Sequence, residues 1–190
     1  MLSTFLTSAG LVAVAEIGDK TQLLSMVLSA QFRRPLPIVA GILAATAVNH
    51  AVAAAAGAAF AEVLQGPWMS ALVGASFLAI AAWALSPDRI EGDCAPPLRK
   101  AGPFVAALIC FFLAEIGDKT QIATVALAAK ERSVLTVTAG TTLGMMIANV
   151  PAVLVGSALA TRLPLRTIRI SAAALFATIG ILILSRLLLS

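Results

Sequence analysis

Two carboxylates three residues apart, Glu16 and Asp19, lie inside an apolar run, and the same octapeptide, AEIGDKTQ, returns at 114–121 with Glu115 and Asp118. On a helix, residues three apart share a face. Gln22 and Gln121 extend that face by three more, with Thr21 and Thr120 close by. Each stretch therefore offers carboxylate, amide and hydroxyl oxygens. Such ligands suit Mg2+, Ca2+ and Mn2+. The motif has no thiolate or imidazole, which argues against copper and zinc. Met26, Met145 and Met146 carry softer sulfur but read as gap fillers in an apolar core.

Ionised carboxylates in hydrocarbon are costly unless partnered or hydrated, and they mark function by default. Four drawn together repel. Lys20 and Lys119 offset two charges, and the remaining two match one divalent cation, although protonation offsets them equally well. Acids this close in a low dielectric can exchange metal for protons at one site, which is what proton-coupled antiport requires. The bland alternative makes Glu16–Lys20 and Glu115–Lys119 structural ion pairs at i, i+4. The lysines read as structural counter-charges rather than gates. Asn49, His50 and Asn149 read first as interhelical hydrogen-bonding groups, with ligation as the alternative. Gly18 and Gly117, between the acids, either let another helix approach closely or permit a local break. Gly140–Gly144 (GTTLG) is a small-xxx-small packing pattern, matched by Gly41 and Ala45 in the first half.

The elements that must hold these groups are membrane helices. Hydrophobic residues make up 60% of the 190-residue chain and charged residues 12%, and the mean hydropathy is +1.00. A soluble domain is about half apolar and a quarter charged. Six apolar stretches run over Ser3–Ala30, Leu36–Ala61, Pro67–Leu85, Pro103–Ala129, Val134–Ala160 and Ile168–Leu189. Each approaches or exceeds the ~20 residues that cross a bilayer. Lipid forces each to satisfy its own backbone, so each is expected to be a helix; the alternation of a membrane barrel is absent. No length remains for a separate soluble domain. The first stretch reads as a membrane helix and not as a cleavable signal, because Glu16 and Asp19 interrupt it. Cys94 and Cys110 lack C-x-x-C spacing, which argues against a thiol metal site or redox pair. Asp88, Glu91 and Asp93 read as a solvated linker, not a Ca2+ loop.

Glu16 and Glu115 are 99 residues apart, and the same offset pairs Arg33 with Arg132, Gly41 with Gly140, Gly57 with Gly156 and His50 with Asn149. The expected organisation is a first three-helix repeat at 1–86, a cytoplasmic linker at 87–102 and a second repeat at 103–190. Three crossings per half invert the second repeat, which brings both motifs to one midplane site. Arg33, Arg34, Arg89, Arg99, Lys100, Arg162, Arg166 and Arg169 fall on one side, and Lys130, Arg132 and Arg186 on the other. By the positive-inside rule the first set is cytoplasmic and both termini lie outside. Trp68 and Trp83 sit where interface anchors would. The net charge of +4 is scattered, so no nucleic-acid partner is expected. The expected partners are a divalent ion and the lipid bilayer; a homodimer is left open.

Two copies of E-x-G-D-[KR]-[ST], here EIGDKT at Glu16–Thr21 and Glu115–Thr120, on six spans resemble the Gdt-type cation/proton exchanger family. That family includes bacterial manganese exporters and Ca2+/Mn2+ transporters of the Golgi and chloroplast. The resemblance covers the whole chain. It implies export of Mn2+, or Ca2+, from the cytosol against protons, with Glu16, Asp19, Glu115 and Asp118 carrying the metal, and a secondary transporter rather than an enzyme. No prosthetic group is implied. The short chain looks like the bacterial form, which would lie in the cytoplasmic membrane. Three rivals stay open: an exporter of another solute such as an amino acid, an intramembrane aspartyl protease with a shared-proton dyad, and a channel.

Overall fold

The computed structural model describes residues 1–63, 66–86, 99–155 and 165–189. Among these residues the regular elements are helices: α1 (Leu2–Glu16), α2 (Lys20–Phe32), α3 (Pro35–Val63), α4 (Pro67–Ala84), α5 (Pro103–Glu115), α6 (Lys119–Glu131), α7 (Val134–Val155) and α8 (Leu165–Leu188), with one 3-10 turn at Arg99–Ala101. Helices α3, α4, α7 and the Arg169–Leu188 part of α8 are long and apolar enough to cross a membrane. Helices α1 and α2 make a fifth candidate span if they are taken as one element bent by 70°. The described residues thus form an all-helical structure with four or five candidate membrane spans, that of a multi-pass membrane protein.

Two of the expected spans need correction. Ser3–Ala30 and Pro103–Ala129 are not continuous helices; each is two helices meeting at the motif. Ile17 (φ −63°, ψ 121°) and Ile116 (φ −61°, ψ 119°) leave the helical region. Gly18 and Gly117 then take φ of 79° and 75°, in the left-handed region where a side chain is penalised. Asp19 and Asp118 are extended and start the next helix. The backbone of the two breaks therefore repeats as closely as the sequence does. Helix α7 is described only to Val155, so the expected end of that span at Ala160, and Arg162 beyond it, lie outside the described residues. So do residues 87–98 of the linker, with Arg89 and Cys94.

Small residues set how the helices stack. Helix α1 lies along α7, α5 along α3, and α4 against α8. A Cβ on Gly41 of α3 would stand 2.5 Å from Phe104 O of α5, and one on Gly140 of α7 would stand 2.6 Å from Phe5 O of α1. The two glycines matched by the repeat thus seat matched half-helices, backbone against backbone. Buried side chains fill the remaining space. Phe111, Ile38 and Ile42 sit between α3 and α5, and the Phe77 and Phe176 rings meet at 6.1 Å between α4 and α8. Cys110 is disulfide-bonded and offers no thiolate to a metal. Trp68 and Trp83, near the two ends of α4, are exposed.

Candidate metal centre

Both breaks place a carboxylate on either side of the interruption: Glu16 and Glu115 end α1 and α5, and Asp19 and Asp118 cap the starts of α2 and α6. All four are buried, with none more than 2% exposed. Helix N-termini carry unpaired amides and a positive dipole end, which favour an acid there. At the second break this is an actual cap, since Thr120 N–H donates to Asp118 Oδ2 at 3.4 Å. The three-residue spacing predicts each Glu and Asp on one helical face. The structure corrects the reason: the helix stops between them, and the broken backbone turns them toward one another.

One oxygen each from Glu16, Asp19 and Asp118 lie within 4.8 Å of one another. The cluster thus takes two acids from the first motif and one from the second. Glu115 is fully buried but stands outside this group, and its Oε1 has no hydrogen-bond partner; the same is true of Glu16 Oε1. Each glutamate is held through its other oxygen. Thr21 donates to Glu16 Oε2 at 2.5 Å, and Thr120 donates to Glu115 Oε2 at 3.2 Å.

The lysines do not act within their own motif as the i, i+4 alternative required, because the helix that would align them is interrupted. Lys119 ion-pairs with Asp19, and Lys20 with Asp118 at 2.8 Å. Each lysine therefore neutralises the aspartate of the other copy. The glutamines clasp the breaks. Gln22 Oε1 accepts from Gly18 N–H, and Gln121 Oε1 from Gly117 N–H, both at 2.8 Å. Gln22 also ties its break to α7, donating from Nε2 to Ala148 O at 3.1 Å.

The more distant polar residues divide. Asn149 accepts from Ser25 on α2 at 2.8 Å, and Asn49 donates to Phe112 O on α5 at 3.1 Å, so both make the interhelical bonds expected of them. His50 does not: neither ring nitrogen has a partner. Two further residues of the site carry no distinctive signal in the sequence. Ser25 lies one turn beyond Thr21, a signal too ordinary to single out. Arg169 reads in the sequence only as a charge that orients the membrane protein. It lines a crevice with Gly18, Asp19 and Lys119, whose roughly 10 Å3 is about the space of one water.

Residues 4–91 and 103–188 match the model of the family described as "Divalent cation/proton antiporter GDT1". The chain belongs to the GDT1 family. The two matched segments hold one motif copy each and flank the linker. A Vibrio cholerae protein described as "Putative manganese exporter" is 48% identical over 93% of this chain and 88% of its own length. "GDT1-like protein 5" of Arabidopsis thaliana is 27% identical over 95% of both chains. No solved structure matches. The GDT1 family is one of cation/proton antiporters, so the chain is a transporter, and neither the protease nor the amino-acid exporter gains support.

Proposed function

We propose that this GDT1-family protein exports Mn2+ from the cytosol in exchange for protons, with Glu16, Asp19, Glu115 and Asp118 handling both ions. The reading is carried by one observation: the aspartates of the two motifs are cross-paired to each other's lysines beside Glu16, so the motifs form one site and not two. A divalent ion entering the cluster takes over the role of the ammonium groups on Asp19 and Asp118. Glu16 Oε1 and Glu115 Oε1, buried and without partners, are the oxygens on which exchanged protons can sit when the metal leaves. Gln22 and Gln121, expected among the ligands, serve this site by holding Gly18 and Gly117 in place, and Thr21 and Thr120 by orienting the glutamates.

The architecture in this reading is six spans in two inverted repeats, 1–86 and 103–190, with α1–α2 and α5–α6 as broken spans whose interruptions form the midplane site. The backbone match of the two breaks supports it. By the positive-inside rule, the charge distribution supports an orientation with both termini outside the cytoplasmic membrane of a bacterium. Among cargoes, Mn2+ is preferred to Ca2+ because of the bacterial relative's description.

The test is purified protein in liposomes, comparing Mn2+, Ca2+ and Mg2+ flux with and without an imposed pH gradient. Mn2+ flux should follow the gradient and vanish in Asp19→Asn. Flux indifferent to the gradient would make the protein a channel, and normal exchange by Asp19→Asn would displace the site.

A further inference from the structure

Beside the carboxylate cluster, α3 and α7 share a second group of buried polar atoms that nothing satisfies. His50 is fully buried, and both ring nitrogens lack a hydrogen-bond partner. Thr46, one turn earlier on α3, and Thr142 on α7 are also buried, with hydroxyl oxygens that have no partner. Thr138, one turn before Thr142, reaches His50 O through its hydroxyl at 3.5 Å, so α3 and α7 meet at the level of His50. Buried polar groups are ordinarily paired, because an unmade hydrogen bond costs the full desolvation of the group. Three such side chains on two helices packed against each other call for a ligand.

The repeat shows what the ordinary arrangement would be. The offset of 99 sets His50 opposite Asn149 and Thr124 opposite Ser25. Ser25 of the first half donates to Asn149 of the second. Its counterpart in the second half, Thr124, turns back and donates to Thr120 O of its own helix at 2.8 Å, and the imidazole of the first half's His50 is left bare. The depth is also informative. Asn49, next to His50, bonds Phe112 O, one turn before Glu115, so this level of α3 lies beside the motif.

We propose that His50, with the hydroxyls of Thr46 and Thr142, forms a second station for the transported cation, distinct from the carboxylate cluster, and that its imidazole favours a transition-metal ion over Ca2+ and Mg2+. The inference rests on the antiporter reading given above. A neutral imidazole offers one lone pair to a metal and one N–H to an acceptor. Nitrogen ligands of this kind suit first-row transition ions, whereas Ca2+ and Mg2+ take oxygen. An all-oxygen cluster discriminates poorly among these ions, and an imidazole on the route supplies the missing preference.

The chain contains a single histidine, so any imidazole signal from protein purified without a histidine tag comes from His50. Pulsed electron paramagnetic resonance on wild-type protein saturated with Mn2+ should show nitrogen coupling of a ligated imidazole. The signal should disappear in His50→Gln and in His50→Asn, the latter being the residue the other repeat uses. In liposomes His50→Asn should lower the ratio of Mn2+ to Ca2+ flux by roughly tenfold, the scale of losing one supporting group at a metal site. Bound Mn2+ without nitrogen coupling in the wild type would overturn this station and leave the carboxylate site standing. A wild-type protein that binds no Mn2+ would overturn both. The decisive measurement is on unmutated protein, so a variant that fails to fold does not protect the idea.

Discussion

Lys119 of the second motif is ion-paired with Asp19 of the first, and Lys20 makes the reciprocal pair with Asp118. The two pairs are chemically identical and differently buried. The Lys119 side chain is 5% exposed, that of Lys20 24%. Packing explains the difference: α6 lies against α3 and α4, while α2 packs mainly against α7 and α5. Two copies of one octapeptide thus occupy unequal surroundings, and their substitutions should have unequal effects.

Breaking a buried pair by removing one partner costs roughly 3–5 kcal/mol, because the other charge is left stranded. Lys119→Met should approach that cost and Lys20→Met should fall well short of it, as read from thermal unfolding in detergent. The double variant Lys119→Met/Asp19→Asn should regain most of the lost stability while remaining unable to export Mn2+. Equal destabilisation by the two single lysine variants would sink the argument.

The glutamates should separate by role. Glu16 contributes an oxygen to the three-acid cluster, and Glu115 does not. Glu16→Gln should therefore weaken Mn2+ binding more than Glu115→Gln, measured by calorimetry on purified protein. Glu115→Gln should instead lower the response of Mn2+ flux to an imposed pH gradient. Identical binding losses in the two variants would contradict this division.

The glutamines hold the breaks, and Gln22 does more than Gln121. Gln22 is 4% exposed and bonds both Gly18 and α7; Gln121 has the bond to Gly117 and is only partly buried. Removing a partner that orients a metal site costs roughly 10–100-fold in affinity. Gln22→Ala should fall in that range for Mn2+, and Gln121→Ala should lose less. Direct ligation by Gln121 would reverse the order.

Helix approach gives a stability prediction independent of transport. A Cβ on Gly57 of α3 would run into the backbone of Val125 on α6, whereas Gly10 of α1 faces open space. Gly57→Ala should destabilise by roughly 1–3 kcal/mol, as overpacking does. Gly10→Ala should be neutral or stabilising by up to about 1 kcal/mol through helix propensity. Both are read from unfolding midpoints in the same detergent.

The class of protein and the identity of the acids were legible without coordinates. Lipid leaves a greasy chain little but helices, and carboxylates placed in such a chain need a reason, so Glu16, Asp19, Glu115 and Asp118 stand out by position and type alone. The offset of 99 also shows in the letters, because both halves meet the same local demands. The breaks were only half legible. Gly18 signalled either close packing or interruption, and the choice depends on backbone angles that composition does not encode.

Partners lay beyond the sequence altogether. Lys20 is close to Glu16 along the chain and bonds Asp118 instead, because an ion pair is decided by which half-helix ends face each other after packing. The same holds for His50 and Asn149, which occupy matching positions in the repeat. Ser25 reaches Asn149; Thr124 bonds its own backbone, and the imidazole stays bare. Local chemistry determined which groups enter the membrane. The tertiary structure decided which of them meet, because that depends on the close stacking of helices whose contacts are distant in sequence.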